Sequence, residues 1–249
     1  MIYLDALDGE DILGGGDASW HYGSRFVMEL WQRLERPALM EMSTFHHHLW
    51  YVRSRMGAWD HPRRSHKRFI DIHCESNQAC NRMFLPANLG WWAFKTFTGI
   101  EGEPTFADDI EYWCTKAIGT GSGLSLMGID PTIAPETPAL PRLAGIVRRY
   151  EDLRRADQVS PAVRARLAEP GVEFTLEGSG ETARFFPVHS ERHKVEAQAD
   201  WSSTWRCHNP HKSQSPTVRI EALQSVGPYD APDNPLLADF GDRLAFNVV

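Results

Sequence analysis

The sequence has no long apolar run, no long basic run and few cysteines. No stretch approaches the roughly 18 apolar residues that a membrane-spanning helix requires, and no basic start leads into an apolar signal region. With a net charge of −7, the chain is not expected to have nucleic acid or a membrane as its main partner. The compartment and the oligomeric state are left open.

The cysteines Cys74, Cys80, Cys114 and Cys207 have neither the spacing of a zinc motif nor that of a dense disulfide framework. We therefore predict that they are mostly buried thiols. Gly14–Gly16 are consecutive glycines without the spaced dinucleotide-binding pattern or a P-loop lysine, and we interpret them as a flexible active-site loop. The sequence thus predicts no bound cofactor.

The first two thirds of the chain alternates strand-like and helix-like segments, which is typical of an α/β fold. The predicted strands are Met1–Asp5, Ala38–Met42, Phe69–His73, Leu89–Phe94 and Gly123–Ile129. They give about five βα units, whereas a complete (β/α)8 TIM barrel has eight. We predict a partial (β/α) TIM-type barrel over residues 1–160; a small open α/β sheet is the alternative.

Three helices have clear signals in this part. The first shows helical spacing of Phe26, Val27, Leu30, Trp31 and Leu34. The second begins with the capping-box pattern of Thr105 and Asp108. The third follows a proline-rich stretch and has one apolar face. That face consists of Leu140, Leu143, Ile146, Val147, Tyr150 and Leu153.

From about Gly171 the pattern changes to alternating apolar and polar residues separated by Gly, Ser and Pro turns, as in Val172, Phe174 and Leu176. This alternation predicts a small antiparallel β-sandwich-like domain over residues 171–249, with the boundary at 157–171. The further predicted strands are Arg184–Val188, His193–Ala197, Ser203–Cys207 and Thr217–Leu223.

Two acids lie in apolar surroundings near the ends of neighbouring predicted strands: Asp5 and Glu41. In a parallel barrel the carboxyl ends of the strands share one face. Two carboxylates there suit glycoside hydrolysis, in which one attacks the anomeric carbon and the other protonates the leaving oxygen. We predict both as catalytic residues; the alternative is that each caps a helix or pairs with an arginine. Asp8 is interpreted as a turn residue.

Asp71 and His73 lie in the predicted strand Phe69–His73. Asp71 is a third candidate catalytic residue, as the acid/base in place of Glu41 or as a ligand of sugar hydroxyls. The alternative is a buried structural aspartate bonded to a loop. His73 and Arg55 are candidate substrate-binding residues; for Arg55 the alternative is an ion pair that orients a loop.

Tryptophan and tyrosine are concentrated in predicted loops and strand ends, where an aromatic ring can pack against the C–H face of a sugar. The candidate substrate-binding tryptophans are Trp20, Trp59, Trp91 and Trp92. For each one alone, burial in the core is the alternative. Trp31 and Trp113 fit helix faces and are predicted to lie in the core, and Trp201 and Trp205 are predicted to lie in the core of the β region.

His46–His48 raise the alternative of a metal-dependent hydrolase that would combine one of them with Asp5, Asp71 and His73. Consecutive helical residues point about 100° apart, so these histidines do not readily share one ion. No His-Glu-x-x-His motif is present. We therefore predict no metal site.

The segments Ile2–Gly9 and Leu39–Ser43 resemble the fourth and fifth strands of retaining α-glycoside hydrolase barrels, in particular those of the endo-α-N-acetylgalactosaminidase group. The resemblance implies that Asp5 is the nucleophile and Glu41 the acid/base, and that β-sandwich modules follow the barrel. Strands one to three of such a barrel have no counterpart in this sequence, which predicts a fragment of a larger enzyme.

Together these features predict a carbohydrate-active hydrolase that cleaves an α-glycosidic bond with retention and has an oligo- or polysaccharide as its partner. The alternative of another class is a non-catalytic carbohydrate-binding or scaffold protein that keeps the aromatic loops.

Overall fold

The computed structural model describes residues 2–5, 16–42, 52, 54, 61–62, 65–81, 87–95, 104–127, 129, 132, 139–193, 204–210, 212–214 and 216–219. The strands are β1 (Ile2–Leu4), β2 (Met40–Met42), β3 (Asn88–Trp92), β4 (Gly123–Leu126), β5 (Phe174–Glu177) and β6 (Arg184–Pro187). The helices are α1 (Gly16–Gln32), α2 (His66–Asn81), α3 (Ala107–Thr120), α4 (Leu140–Arg155) and α5 (Pro161–Leu167). The part of the chain so described has a mixed α/β fold.

The strands of the first part pair in parallel, as a succession of βα units requires. β1 pairs with β2 across α1, and β3 pairs with β4 across α3. The prediction of strands at these places and of parallel pairing is confirmed. β5 and β6 form an antiparallel hairpin. Among the described residues these pairs are three separate two-stranded sheets, and they do not show a barrel.

The main hydrophobic core surrounds α3, whose residues from Asp109 to Ile118 are almost all buried. α2, α4 and α5 pack against this helix. The predicted apolar face of α4 is confirmed, because the helix buries Leu140, Leu143, Val147, Tyr150 and Leu153. The approach of α5 is close: a Cβ at Gly119 would lie 2.5 Å from the backbone nitrogen of Ala168.

The β5–β6 hairpin begins on the same core, since Phe174 and Leu176 belong to the hydrophobic cluster formed by α3 and α4. The division into residues 1–160 and 171–249 stays a prediction. Residues 204–207 and 217–219, expected in strands, have no regular secondary structure. Most of His193–Ala197 lies outside the described residues. Arg219 folds back onto α3, with its guanidinium 3.9 Å from the ring centroid of Phe106.

α1 packs on β2 through a smaller cluster of Val27, Met40 and Val52. The helical spacing predicted for α1 is right, but the buried face is narrower than expected. Phe26 is 48% exposed and Trp31 is 38% exposed, so the prediction that Trp31 lies in the core is wrong. Trp113 is buried as predicted, whereas Trp205, also predicted for the core, is 41% exposed. Trp201 lies outside the described residues.

Phe69–His73 is part of α2 and not a strand. Residues 70–73 alternate between apolar and polar, which favours a strand when the segment is considered alone. In the structure Ile70, Cys74 and Asn77 are buried and Ile72 is exposed, which is the period of a helix lying on α3. Tertiary packing outweighs the β-preference of the isoleucines here.

The start of α3 differs by one residue from the prediction. Phe106 is the N-cap, and Asp109 accepts a hydrogen bond from its backbone N–H at 3.1 Å. Thr105 bonds instead to the chain after β3, donating to the carbonyl of Ala93 and accepting from the backbone N–H of Lys95. No helix among the described residues is long and apolar enough to cross a membrane.

Candidate functional site

β1 and β2 bring the two predicted catalytic acids to one face of a parallel pair. Tyr3 is in register with Glu41, so their side chains leave the same face. Asp5 directly follows β1, two residues beyond Tyr3, so continuing the alternation of β1 puts it on that face as well. Its side chain is exposed, which corrects the expectation that Asp5 lies in apolar surroundings. The hydroxyl of Tyr3 donates to Oδ1 of Asp5 at 3.3 Å.

A buried hydrogen-bond chain connects Glu41 to the second parallel pair. Glu41 is 1% exposed, and its Oε1 accepts from Nδ2 of Asn88 at 3.1 Å. The same amide nitrogen lies 3.2 Å from Oγ of Ser125. The side chains of Glu41, Asn88 and Ser125 thus connect β2, β3 and β4, although no backbone hydrogen bonding between β2 and β3 is described.

A β-bulge at Gly90 turns Trp91 onto this face. Asn88 pairs with Gly123 and Trp91 pairs with Ser125, so β3 uses one more residue than β4 over the same length. Gly90 has a φ of 80°, a conformation that a residue with a Cβ adopts at a cost. The extra residue reverses the alternation of side chains between the two faces of β3, so the side chain of Trp91 lies on the same face as that of Asn88.

Trp91 and Trp92 consequently lie in different environments. The half-buried Trp91 ring meets the ring of Tyr3 edge-on, with centroids 5.2 Å apart. Trp92 is 1% exposed and stacks on Trp113 with centroids 5.4 Å apart. The expectation that Trp92 lies beside substrate at a strand-end loop is corrected: its ring is in the core and neither face is open to a sugar.

Two polar atoms on this face are buried without a hydrogen-bond partner in the described part of the chain: Oδ1 of Asn88 and Nε1 of Trp91. One is an acceptor and the other a donor. Buried polar atoms are normally paired with protein, water or ligand. A hydroxyl group, which both donates and accepts, has the chemistry that such a pair of atoms can bind.

Asp71 and His73 lie on α2, so the expectation that they follow a barrel strand is wrong. Oδ1 of Asp71 accepts from the hydroxyl of Tyr112 at 2.5 Å, and Oδ2 accepts from the backbone N–H of Gly171 at 3.1 Å. This is the buried structural aspartate that was the alternative for Asp71. Nδ1 of His73 lies 2.7 Å from the carbonyl of Phe69, one turn earlier in the helix.

Several candidates lie outside the described residues: Arg55, Trp59 and His46–His48. Cys80 lies in α2, but its side chain is not among those described. Trp20 lies in α1, but its side chain is not among those described. Their predicted roles stay predictions.

The prediction of buried thiols is confirmed for two of the three described cysteines. Cys74 and Cys114 are buried and free, whereas Cys207 is exposed. Burial raises the pKa of Cys74 to about 12 and raises the pKa of Cys114 well above its usual value. Neither buried thiol has the low pKa of a nucleophilic cysteine.

The residues that sequence reasoning missed are Tyr3, Asn88 and Ser125. Their contacts join different strands, and the spacing of residues along the sequence does not predict contacts between strands. The bulge had a local signal, since an isolated glycine inside a strand often marks one. Comparison of the chain with known protein families, with curated proteins and with solved structures finds no match.

Proposed function

We propose that this chain carries the active site of a carbohydrate-active hydrolase that cleaves an α-glycosidic bond with retention. The observation that supports this proposal most directly is the register of Tyr3 with Glu41. It puts Asp5 and Glu41 on one face of two adjacent parallel strands, at the carboxyl end where α/β enzymes place their chemistry.

The spacing of the two acids suits a pair that flanks a bond. Adjacent strands are about 4.8 Å apart and each residue advances about 3.3 Å, so an offset of two residues separates their Cα atoms by about 8 Å. Side chains that lean toward each other reduce that distance between the carboxyl groups. Retaining enzymes have about 5–5.5 Å between theirs.

In the proposed reaction Asp5 attacks the anomeric carbon while Glu41 protonates the departing glycosidic oxygen, which gives a glycosyl ester on Asp5. Glu41, now a carboxylate, then takes a proton from water as the water displaces Asp5. Asn88 positions Glu41 by donating to Oε1. Tyr3 does the same for Asp5 through its hydroxyl.

Sugar contacts are proposed for Trp91, whose half-buried ring lies beside Tyr3, and for Oδ1 of Asn88. Trp20, Trp59 and Arg55 remain proposed substrate-binding residues. Asp71, His73 and Trp92 are not included, because their described contacts are with the helical core. The finer architecture, a partial (β/α) barrel followed by a β-sandwich-like domain, belongs to the same proposal.

The test is hydrolysis of a panel of aryl α-glycosides by the protein as its gene encodes it. Asp5→Asn and Glu41→Gln each reduce turnover by at least about 1,000-fold. Added azide restores turnover to the Asp5 variant, which lacks the nucleophile. Asp8→Asn is the matched control, since Asp8 is an acid that closely follows Asp5 in the sequence and is predicted to be a turn residue, and this variant retains activity. Unchanged turnover in Asp5→Asn contradicts the assignment.

A second function, carbohydrate binding without catalysis, is favoured by one observation: Glu41 is 1% exposed and already bonded to Asn88. An acid so enclosed can serve packing alone. This function predicts saturable binding of an oligosaccharide by calorimetry, no turnover of any aryl glycoside, and unchanged affinity in Asp5→Asn. Loss of binding in Trp91→Ala would be common to both functions, so turnover is the measurement that separates them.

A further inference from the structure

Three side chains of different chemistry meet in the chain that follows the β5–β6 hairpin. His189, Glu191 and Cys207 each offer one ligand atom, and these atoms all lie within 4.8 Å of one another. Nε2 of His189 is 3.4 Å from Oε1 of Glu191, which is about the separation of two ligand atoms in a tetrahedral zinc site. All three side chains are exposed, so an ion reaches them from solvent.

The other oxygen of Glu191 is held by a fourth residue. Nε2 of His193 lies 3.1 Å from Oε2 of Glu191, and the His193 ring stacks on Trp205 with centroids 5.3 Å apart. A hydrogen bond of this kind orients a ligating carboxylate, as outer-shell partners do around metal ions. Glu191 therefore turns Oε1 toward His189 while Oε2 is engaged.

We propose that His189, Glu191 and Cys207 bind a zinc ion, with His193 as the positioning residue for Glu191. Imidazole nitrogen, carboxylate oxygen and thiolate sulfur are the ligands that Zn²⁺ takes in proteins, and a thiolate disfavours Mg²⁺ and Ca²⁺. Three protein ligands leave the fourth tetrahedral position to water. Bound there, the ion ties the segment after β6 to residues 204–208.

The test uses the full chain, reduced and freed of metal, with Co²⁺ as the spectroscopic probe. The wild type is expected to show thiolate-to-cobalt charge-transfer absorption that Zn²⁺ displaces. Cys207→Ser removes this absorption. Cys74→Ser and Cys80→Ser, which change thiols outside the site, retain it.

Zinc affinity measured by competition with a chelator tests the other residues. His193→Asn weakens binding about 10-fold, and His189→Asn weakens it by a larger factor because a ligand is removed. His208→Asn is the matched control, since His208 is exposed and adjacent to Cys207, and it leaves the affinity unchanged. Circular dichroism verifies that each variant is folded.

Three results overturn the proposal. The first is a wild-type cobalt spectrum without thiolate absorption, as binding at His46–His48 would give. The second is absorption that persists in Cys207→Ser. The third is absorption that disappears in Cys80→Ser, which would place the metal on a different thiol.

Discussion

Trp91 and Trp92 are neighbours in the chain and leave opposite faces of β3. The bulge at Gly90 produces this outcome: Trp91 shares a face with Asn88, while Trp92 stacks on Trp113 in the core. The carbonyl of Leu89, inside the bulge, accepts from Nε1 of Trp113 at 2.9 Å. One irregular residue thus separates an aromatic of the candidate site from one that stabilises the fold.

Gly90→Ala is therefore expected to destabilise the protein by about 1–2 kcal/mol, because a Cβ at a φ of 80° is strained. Urea unfolding measures the change. Gly145→Ala is the control: Gly145 is inside α4, nothing lies within 4 Å of a Cβ built there, and the substitution stabilises by about 0.5–1 kcal/mol. If both variants shift stability in the same direction, the bulge does not need its glycine.

Local patterns predicted much of the fold. β1, β2, β3 and β4 are short apolar segments set off by loop residues, and α4 has the apolar spacing of a helix, so local sequence indicates each of them. Phe69–His73 is wrongly predicted as a strand because its four alternating residues, 70–73, fit both periods. What makes that segment helical is α3, which lies beside it in space and follows it by some forty residues.

The candidate site was predicted in part for the same reason. Parallel pairing of two strands connected by one helix follows from the order of the elements. The sequence alone could therefore predict that Asp5 and Glu41 share a face. The bond of Asn88 to Glu41 and to Ser125 depends on how two separate parallel pairs meet. The burial of Trp92 depends on the bulge. Regular alternation along β3 would exchange the two tryptophans, with Trp92 on the face of Asn88 and Trp91 on the face of the core.

Lys116 is a buried cation that holds the end of α5. Its Nζ lies 3.0 Å from the carbonyl oxygen of Leu167, 2.9 Å from that of Val172, and bonds that of Glu169. It also lies 4.6 Å from the ring centroid of Tyr112. Burial lowers the pKa of this amine.

Lys116→Met is expected to destabilise the protein by about 3 kcal/mol, because the three carbonyls lose their common donor. Lys67→Met is the control for loss of a lysine: Lys67 pairs with Asp108 and Glu173 in a partly exposed site, and its removal costs about 1 kcal/mol. Chemical denaturation of both variants gives the comparison. Equal losses would show that the carbonyl bonds of Lys116 add nothing to an ordinary ion pair.

Asp71 and Tyr112 are expected to act as one structural unit. The Tyr112 hydroxyl donates to Asp71 and also accepts from the N–H of Gly171 at 2.9 Å. Asp71→Asn and Tyr112→Phe each destabilise by about 1–3 kcal/mol, and the double variant loses less than the sum. A double-mutant cycle measures this coupling. If Asp71→Asn abolishes turnover and leaves stability unchanged, the residue is catalytic after all.

His61 makes stability depend on pH. Its Nδ1 accepts from the backbone N–H of Ala93 at 3.1 Å, a bond that protonation there would break. Burial, and then the charges of His66 and Lys95, lower the pKa of His61 to about 3. The unfolded chain binds a proton near pH 6.5 and the folded chain does not, so stability is full above pH 6.5 and falls as the pH is lowered. From this group alone the loss of unfolding free energy reaches about 2 kcal/mol at pH 5.

The variant His61→Asn keeps a hydrogen-bond acceptor that does not titrate. It is expected to reduce the pH dependence of the unfolding free energy measured between pH 7 and pH 5. The exposed His208→Asn keeps the wild-type slope; parallel curves for wild type and His61→Asn would contradict the buried neutral histidine.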